Sequence, residues 1–240
     1  MKKKISYLFL ISALGIPVGG VFAGDSGGTS NALLTGVEHF KQATVKIQGG
    51  KIIYFDPFQI NGEPHDGDIV LVTHTHSDHL SPADLKKVVK ADTTVLVPED
   101  GVQKVKEAGI TKIIEVVPGK DYEAQGIKIT TVPAYNVNKS FHPRANKWVG
   151  YIISINQARY YIAGDTDLIP EMKEIKTDMA FLPVGGTYTM TAEEAARAAN
   201  LIKPKIAVPI HFGDVVGSME DAEKFISLLD KGIEGKIIKK

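Results

Sequence analysis

Four side chains able to bind a metal ion fall within six consecutive positions: His74, His76, Asp78 and His79, in the string Thr73-His74-Thr75-His76-Ser77-Asp78-His79-Leu80. His74 and His76 are two apart, so in extended chain their side chains point the same way. Asp78 and His79 fall in the turn that follows, where the chain can fold them back toward a second point. Burying four such groups without a partner is costly. Two metal ions would be that partner, since neutral imidazole and carboxylate are standard zinc ligands. A solvated His-rich turn would not need the apolar run at residues 69–73 in front of it.

Three more ligand-type residues share that setting. His142 lies in the loop 136–146, after the apolar run 127–132. Asp165 lies in Ala163-Gly164-Asp165-Thr166-Asp167, after residues 159–163. His211 follows residues 206–210 and precedes Gly213. Alone, each has an ordinary reading: a loop histidine, a turn former, a core histidine. Each, however, stands just past an apolar strand, and in α/β architectures sites gather at the carboxyl ends of strands. The seven residues could therefore converge.

The run His-x-His-x-Asp-His, a later His, the string Gly-Asp-Thr-Asp and a last His before Gly resemble the metallo-β-lactamase superfamily. The resemblance is greatest to the branch of ascorbate-phosphate lactonases and small uncharacterised metal-dependent hydrolases. Asp56-Pro57-Phe58, Pro133-Ala134-Tyr135-Asn136 and Gly185-Gly186-Thr187-Tyr188 match that branch as well, and the likeness runs over about residues 38–214. It implies an α/β fold, the αββα four-layer sandwich, with metals at one rim between the sheets. By position, His74, His76 and His142 would hold a first ion. Asp78, His79 and His211 would hold a second, with Asp165 bridging both. The implied cofactors are two divalent ions, zinc first, with manganese or iron as other fits.

The chemistry implied is hydrolysis by a metal-bridging hydroxide, because one zinc alone lowers the pKa of water to about 7. A bridging-type Asp165 points to lactone, ester, thioester or phosphodiester substrates and away from true β-lactamases. Asp78, Asp165 and Tyr188 are the candidate catalytic residues, Tyr188 as a hydrogen-bond donor to an oxyanion. Asp56 is a candidate for orienting a ligand histidine. Lys139, Arg144 and Lys147 flank His142 and could grip a phosphate or carboxylate, which makes a small anionic substrate the expectation. Related sequences often carry Gly-His where this chain has Lys41-Gln42, and the displaced His39 is given no role. Two other readings compete: an iron-dependent redox enzyme of the same fold, and a non-catalytic metal-binding protein of the envelope. Iron accepts imidazole and carboxylate too.

The elements that must position these residues are legible in part. Residues 43–47 and 51–55, joined by Gly49-Gly50, read as a β-hairpin. Ser81-Pro82-Ala83-Asp84 supplies an N-cap, a proline at the first helical position and an early acid, so a helix starts there. Strands are expected at 94–97, 113–117, 127–132, 150–155, 159–163, 179–182, 206–210 and 236–238. Helices are expected at 100–108, about 170–175, from the Thr191/Glu194 capping box to about 202, and at 218–230. Strand-rich and then alternating segments, twice over, suit two sheets with helices outside.

The chain has 240 residues, 43% hydrophobic and 23% charged, with no cysteine and zero formal charge. That is an ordinary globular composition, and it gives no electrostatic argument for nucleic acid as a partner. Without cysteine there are no disulfides and no Cys-ligated metal. Lys2-Lys3-Lys4, an apolar run from Ile5 to Val18 and Val21-Phe22-Ala23 have the form of a secretory signal peptide over residues 1–23. Its removal would leave a charge of −3 and no stable membrane anchor, in a periplasmic or secreted protein. Residues 24–32, rich in Gly, Ser and Thr, are expected to be a flexible leader, and 33–240 one hydrolase domain acting on a small molecule. The oligomeric state is left open.

Overall fold

The computed structural model describes residues 26–238; the expected signal segment lies outside the described residues. Two mixed sheets face each other. The first runs β1 (Val37–His39), β2 (Val45–Gln48), β3 (Ile52–Phe55), β4 (Gly67–Leu71), β5 (Val89–Pro98) and β6 (Ile113–Val116), neighbours in that order. Its first pairings are antiparallel and those from β3 to β6 parallel. The second sheet holds β7 (Asp121–Ala124), β8 (Ile127–Pro133), β9 (Val149–Ile155), β10 (Ala158–Ile162), β11 (Met179–Pro183), β12 (Ile206–Ile210) and β13 (Glu234–Gly235). It repeats the plan: antiparallel from β7 to β10, parallel from β10 to β13.

Three apolar layers separate four layers of structure. Ile53, Phe55, Ile69 and Leu71 of the first sheet meet Ile129, Tyr151, Ile162 and Phe181 of the second in the central core. Val70, Val72 and Val95 face outward onto Leu85 and Val88 of α2 (Pro82–Val88) and Val105 of α3 (Val102–Glu107). Tyr161, Ala180 and Leu182 face Ala195 and Ala199 of α4 (Ala192–Ile202) and Phe225 of α5 (Met219–Ser227). The run 69–72 is apolar throughout because it is covered on both faces. This is the αββα sandwich. Ser81 caps α2, and Thr191 with Glu194 caps α4 reciprocally, as the sequence implies.

Some local expectations shift. The Gly/Ser-rich stretch expected to be a flexible leader is helical as α1 (Ser26–Leu34). Its hold is at the far end, where Leu33 is buried in the core and its carbonyl accepts a hydrogen bond from Tyr160 Oη (3.2 Å). The strands β1 and β7 were not expected, and the last strand falls at Glu234–Gly235 instead of 236–238. All three are sheet edges, paired on one side only, where polar residues such as Asp121 and Glu123 are tolerated. Among the described residues no helix is long and apolar enough to cross a membrane.

Candidate metal centre

The seven sequence-selected ligands converge at one rim, between the two sheets. His74, His76, Asp78 and His79 follow β4. His142 lies in the loop after β8, Asp165 just after β10 and His211 immediately after β12. The side-chain donor atoms of His74, His76 and His142 lie within 4.8 Å of one another, and so do those of Asp78, His79 and His211. Asp165 stands between the two triads. Its Oδ2 is 3.2 Å from His142 Nε2 and 3.1 Å from His211 Nε2, and its Oδ1 is 3.3 Å from His79 Nε2. A four-coordinate zinc with bonds of about 2.0–2.1 Å keeps its ligand atoms about 3.3–3.4 Å apart. These spacings are of that size.

The hydrogen bonds behind the ligands free the correct atoms. Asp56 Oδ1 accepts the Thr73 backbone N–H (2.7 Å), and its Oδ2 accepts the Thr73 hydroxyl (2.6 Å) and faces His79 Nδ1 (2.7 Å). His79 therefore donates from Nδ1 and turns Nε2 toward Asp165 and Asp78. Since the Thr73 hydroxyl proton is used on Asp56, its oxygen accepts from His74 Nδ1 at 3.0 Å. His142 Nδ1 lies 3.1 Å from Asn136 Oδ1, which also accepts the His142 backbone N–H. With the proton on Nδ1, His74 and His142 present a lone pair at Nε2, and His79 does so once a cation displaces the second proton that its two carboxylate neighbours favour. His74 Nε2 then lies 3.1 Å from His76 Nδ1, close enough for both to bind one cation. His79 Nε2, His142 Nε2 and Asp165 Oδ1 are buried without any hydrogen-bond partner. Such atoms are costly unless something binds them. The donor set, its spacing and its orphaned atoms all fit metal ions.

Charge is balanced inside the cluster. Burial works against ionised Asp165, but the His211 and His79 charges outweigh it and hold the carboxyl well below its usual range. Burial likewise opposes a charged His79; Asp165 at one nitrogen and Asp56 at the other win and raise its pKa well above normal. Burial and the nearby His79 lower His74. Asp78 is carried down to about 2, against burial, by its hydrogen bond and attraction to His79. Burial pushes Asp56 upward against the pull of His79 and Thr73.

The chain matches the model of the beta-lactamase superfamily domain over residues 37–211. It belongs to that superfamily. A metal-dependent hydrolase of Methanopyrus kandleri is 33% identical over 201 residues, 75% of this chain and 84% of the relative. A crystal structure from Parabacteroides distasonis, described as a candidate metal-dependent hydrolase, is 35% identical with a TM-score of 0.71. It covers 84% of this chain and 91% of that one. A diiron β-hydroxylase from Streptomyces venezuelae aligns with a TM-score of 0.68 at 17% identity, over 84% of this chain and 52% of its own. That last likeness speaks for the fold alone. Its family places the chain among metal-dependent hydrolases of the metallo-β-lactamase fold.

Within this superfamily member the other sequence candidates divide. Asp56 stands behind the ligands, as anticipated. Tyr188 lines a cleft of 260 Å³ together with His76, Asp78, His142, Asp165 and His211. Lys139 does not line that cleft: it donates to Asp167 Oδ1 (2.5 Å) and to the Thr189 carbonyl (2.9 Å). Arg144 pairs with Glu171 at 3.0 Å and stacks over Tyr135. Lys147 is exposed and outside the cleft. The expectation that these cations grip the substrate has no support in their positions, because two are already paired within the fold.

Gln42 was missed. Its Nε2 donates to Asp78 Oδ2 (3.1 Å) and lies 2.9 Å from His211 Nε2, while its carbonyl accepts the His211 backbone N–H (2.7 Å). His39 in turn lies against the Gln42 carbonyl (3.0 Å) and serves as a buttress. The signal was the departure itself, a polar residue where related sequences often carry a ligand-type one. Gln42, Asp56 and His211 all sit in left-handed backbone, φ 54°, 44° and 61°. Such conformations persist where the surroundings enforce them.

Proposed function

We propose that this chain is a two-metal hydrolase, exported by its N-terminal segment, that cleaves a small lactone, ester or phosphodiester. The observation that carries the reading is Asp165: a buried carboxylate between two ligand triads, within 3.3 Å of histidine nitrogens from both. Two divalent ions, zinc first, would polarise the substrate's carbonyl or phosphoryl oxygen and lower the pKa of an attacking water. The protein's part is positioning. Asp56, Thr73 and Asn136 fix the imidazole orientations before any ligand arrives. Asp78 and Asp165 stay ionised at neutral pH and offset the ions' charge. Tyr188 stands on the cleft wall as a donor for the oxyanion that develops when the carbonyl is attacked.

The test is elemental analysis of the purified full chain followed by assays on lactones, esters and phosphodiesters. About two zinc or manganese ions per chain are expected, with turnover that Asp165→Asn reduces by at least about a hundredfold. Turnover that survives the substitution would overturn the reading. A chain that holds mostly iron and hydrolyses nothing would favour redox chemistry instead.

A further inference from the structure

Three features of the cleft mouth go together. No lysine or arginine lines it. Three cations of the bordering loops are paired elsewhere, Lys139 with Asp167, Arg144 with Glu171 and Lys41 with Asp214, and Lys147 is exposed outside the cleft. Apart from the candidate ligands and Ser77, the lining side chains are Phe141, Tyr188 and Val215. Phe141 and Val215, 45% and 51% exposed, both line the cleft. Tyr188 completes the rim, its ring edge-on to Phe141 with centroids 4.7 Å apart.

The placement of these walls is fixed by the metal centre. Phe141 directly precedes His142 in the chain. The Tyr188 carbonyl accepts from Asn136 Nδ2, the same Asn136 whose oxygen faces His142. The Val215 N–H donates to Gln42 Oε1 (3.4 Å), the same Gln42 that bonds Asp78. Single exposed apolar residues are ordinary. Here they flank the entrance to a reactive centre and are held by its own supporting residues. Apolar surface at such an entrance is covered when a ligand of like character enters. A volume of 260 Å³ is just below the range of about 300–1,000 Å³ common for ligand pockets, so that ligand is small.

We propose that the substrate carries an uncharged apolar group, an acyl chain or aromatic ring, beside the cleaved bond, packed between the Phe141–Tyr188 pair and Val215. It carries no second anionic group, since no cationic side chain lines the cleft to meet one. This rests on the hydrolase reading above. For an ester, the water oxygen bonds to the acyl carbon, and the acyl C–O bond breaks with its electron pair going to the alcohol oxygen. One water proton ends on the alcohol, and the other is released as the acid ionises.

The experiment compares phenyl acetate, phenyl butyrate, phenyl hexanoate and phenyl hemisuccinate on the metal-loaded full chain. The expected kcat/KM rises about two- to fourfold per methylene, at least tenfold from acetate to hexanoate. The hemisuccinate falls below the butyrate of equal chain length. Phe141→Ala and Val215→Ser reduce the hexanoate-to-acetate ratio toward one. A flat series, a preference for the hemisuccinate, or a ratio unchanged in both variants overturns the proposal. If none of these esters is cleaved, the ester arm of the hydrolase reading fails and the cleft is tested by binding. Trp148, the sole tryptophan of the chain, lies with its ring centroid 4.9 Å from those of His74 and His76 and reports by fluorescence. Hexanoate binding at least tenfold tighter than succinate, with the preference lost in Phe141→Ala, supports the apolar subsite on its own. Equal or reversed affinity overturns it.

Discussion

At Asp56 one carboxylate holds two histidines. It meets His79 directly and His74 through the Thr73 hydroxyl, while the Thr73 N–H fills its other oxygen. An asparagine there could accept at one atom but would present an N–H to groups that are themselves donors. Asp56→Asn is therefore expected to weaken metal binding about 10–100-fold, the usual cost of losing such support. Competition with a chromogenic chelator measures it, with circular dichroism to check that the fold persists. Unchanged affinity would remove Asp56 from the account. Lys139 teaches the opposite lesson. Its residue type suggested substrate binding, yet its ammonium is bound to Asp167 and the Thr189 carbonyl and ties two loops together.

Among the elements, the strand-to-loop junctions do the positioning. Gly164, between β10 and Asp165, has φ 64°, and a Cβ there would come within 2.9 Å of the Thr73 Cβ. That contact joins the Asp165 turn of the second sheet to the Thr73 turn of the first. Gly164→Ala should cost about 1–3 kcal/mol from backbone strain and crowding. In a chain of this size that lowers Tm by about 2–4 °C per kcal/mol, and metal content should fall with it because Asp165 is displaced. Thermal melts and elemental analysis of the variant check both; a wild-type Tm would show that the junction has slack. Gly185 is similarly confined, its would-be Cβ 2.7 Å from the His211 carbonyl oxygen.

At the scale of the whole molecule, the centre joins two sheets that also meet through their apolar faces and through hydrogen bonds such as Tyr151 Oη to the Val72 carbonyl. Four ligands come from the first sheet and three from the second. Ions bound there would cross-link the halves and favour the folded state by mass action, about 4 kcal/mol when free metal is a thousand times Kd. Chelation should then lower Tm by about 8–16 °C, reversed by adding metal back. Trp148 fluorescence should change in step. Calorimetry showing the same Tm with and without chelator would mean that the seven residues hold no ion.

Beyond the four-layer architecture, which the family resemblance implied, the sequence by itself determined the candidate ligand types, their order along the chain and most of the strands and helices. Those rest on local chemistry and periodicity: a His-x-His-x-Asp-His run after an apolar strand, capped helices, and strands apolar on both faces. Edge strands such as β7 were not legible, because an edge needs only one apolar flank and its Asp and Glu read as loop. The tertiary structure alone decided that Gln42 meets Asp78, 36 positions away, and His211, 169 away. It also decided that Lys139 and Arg144 are paired inside the fold and that Phe141 and Val215 line one cleft. The physical reason is the same in each case. A ligand's identity is carried by one residue, whereas a polar side chain's partner depends on which distant backbone folds against it.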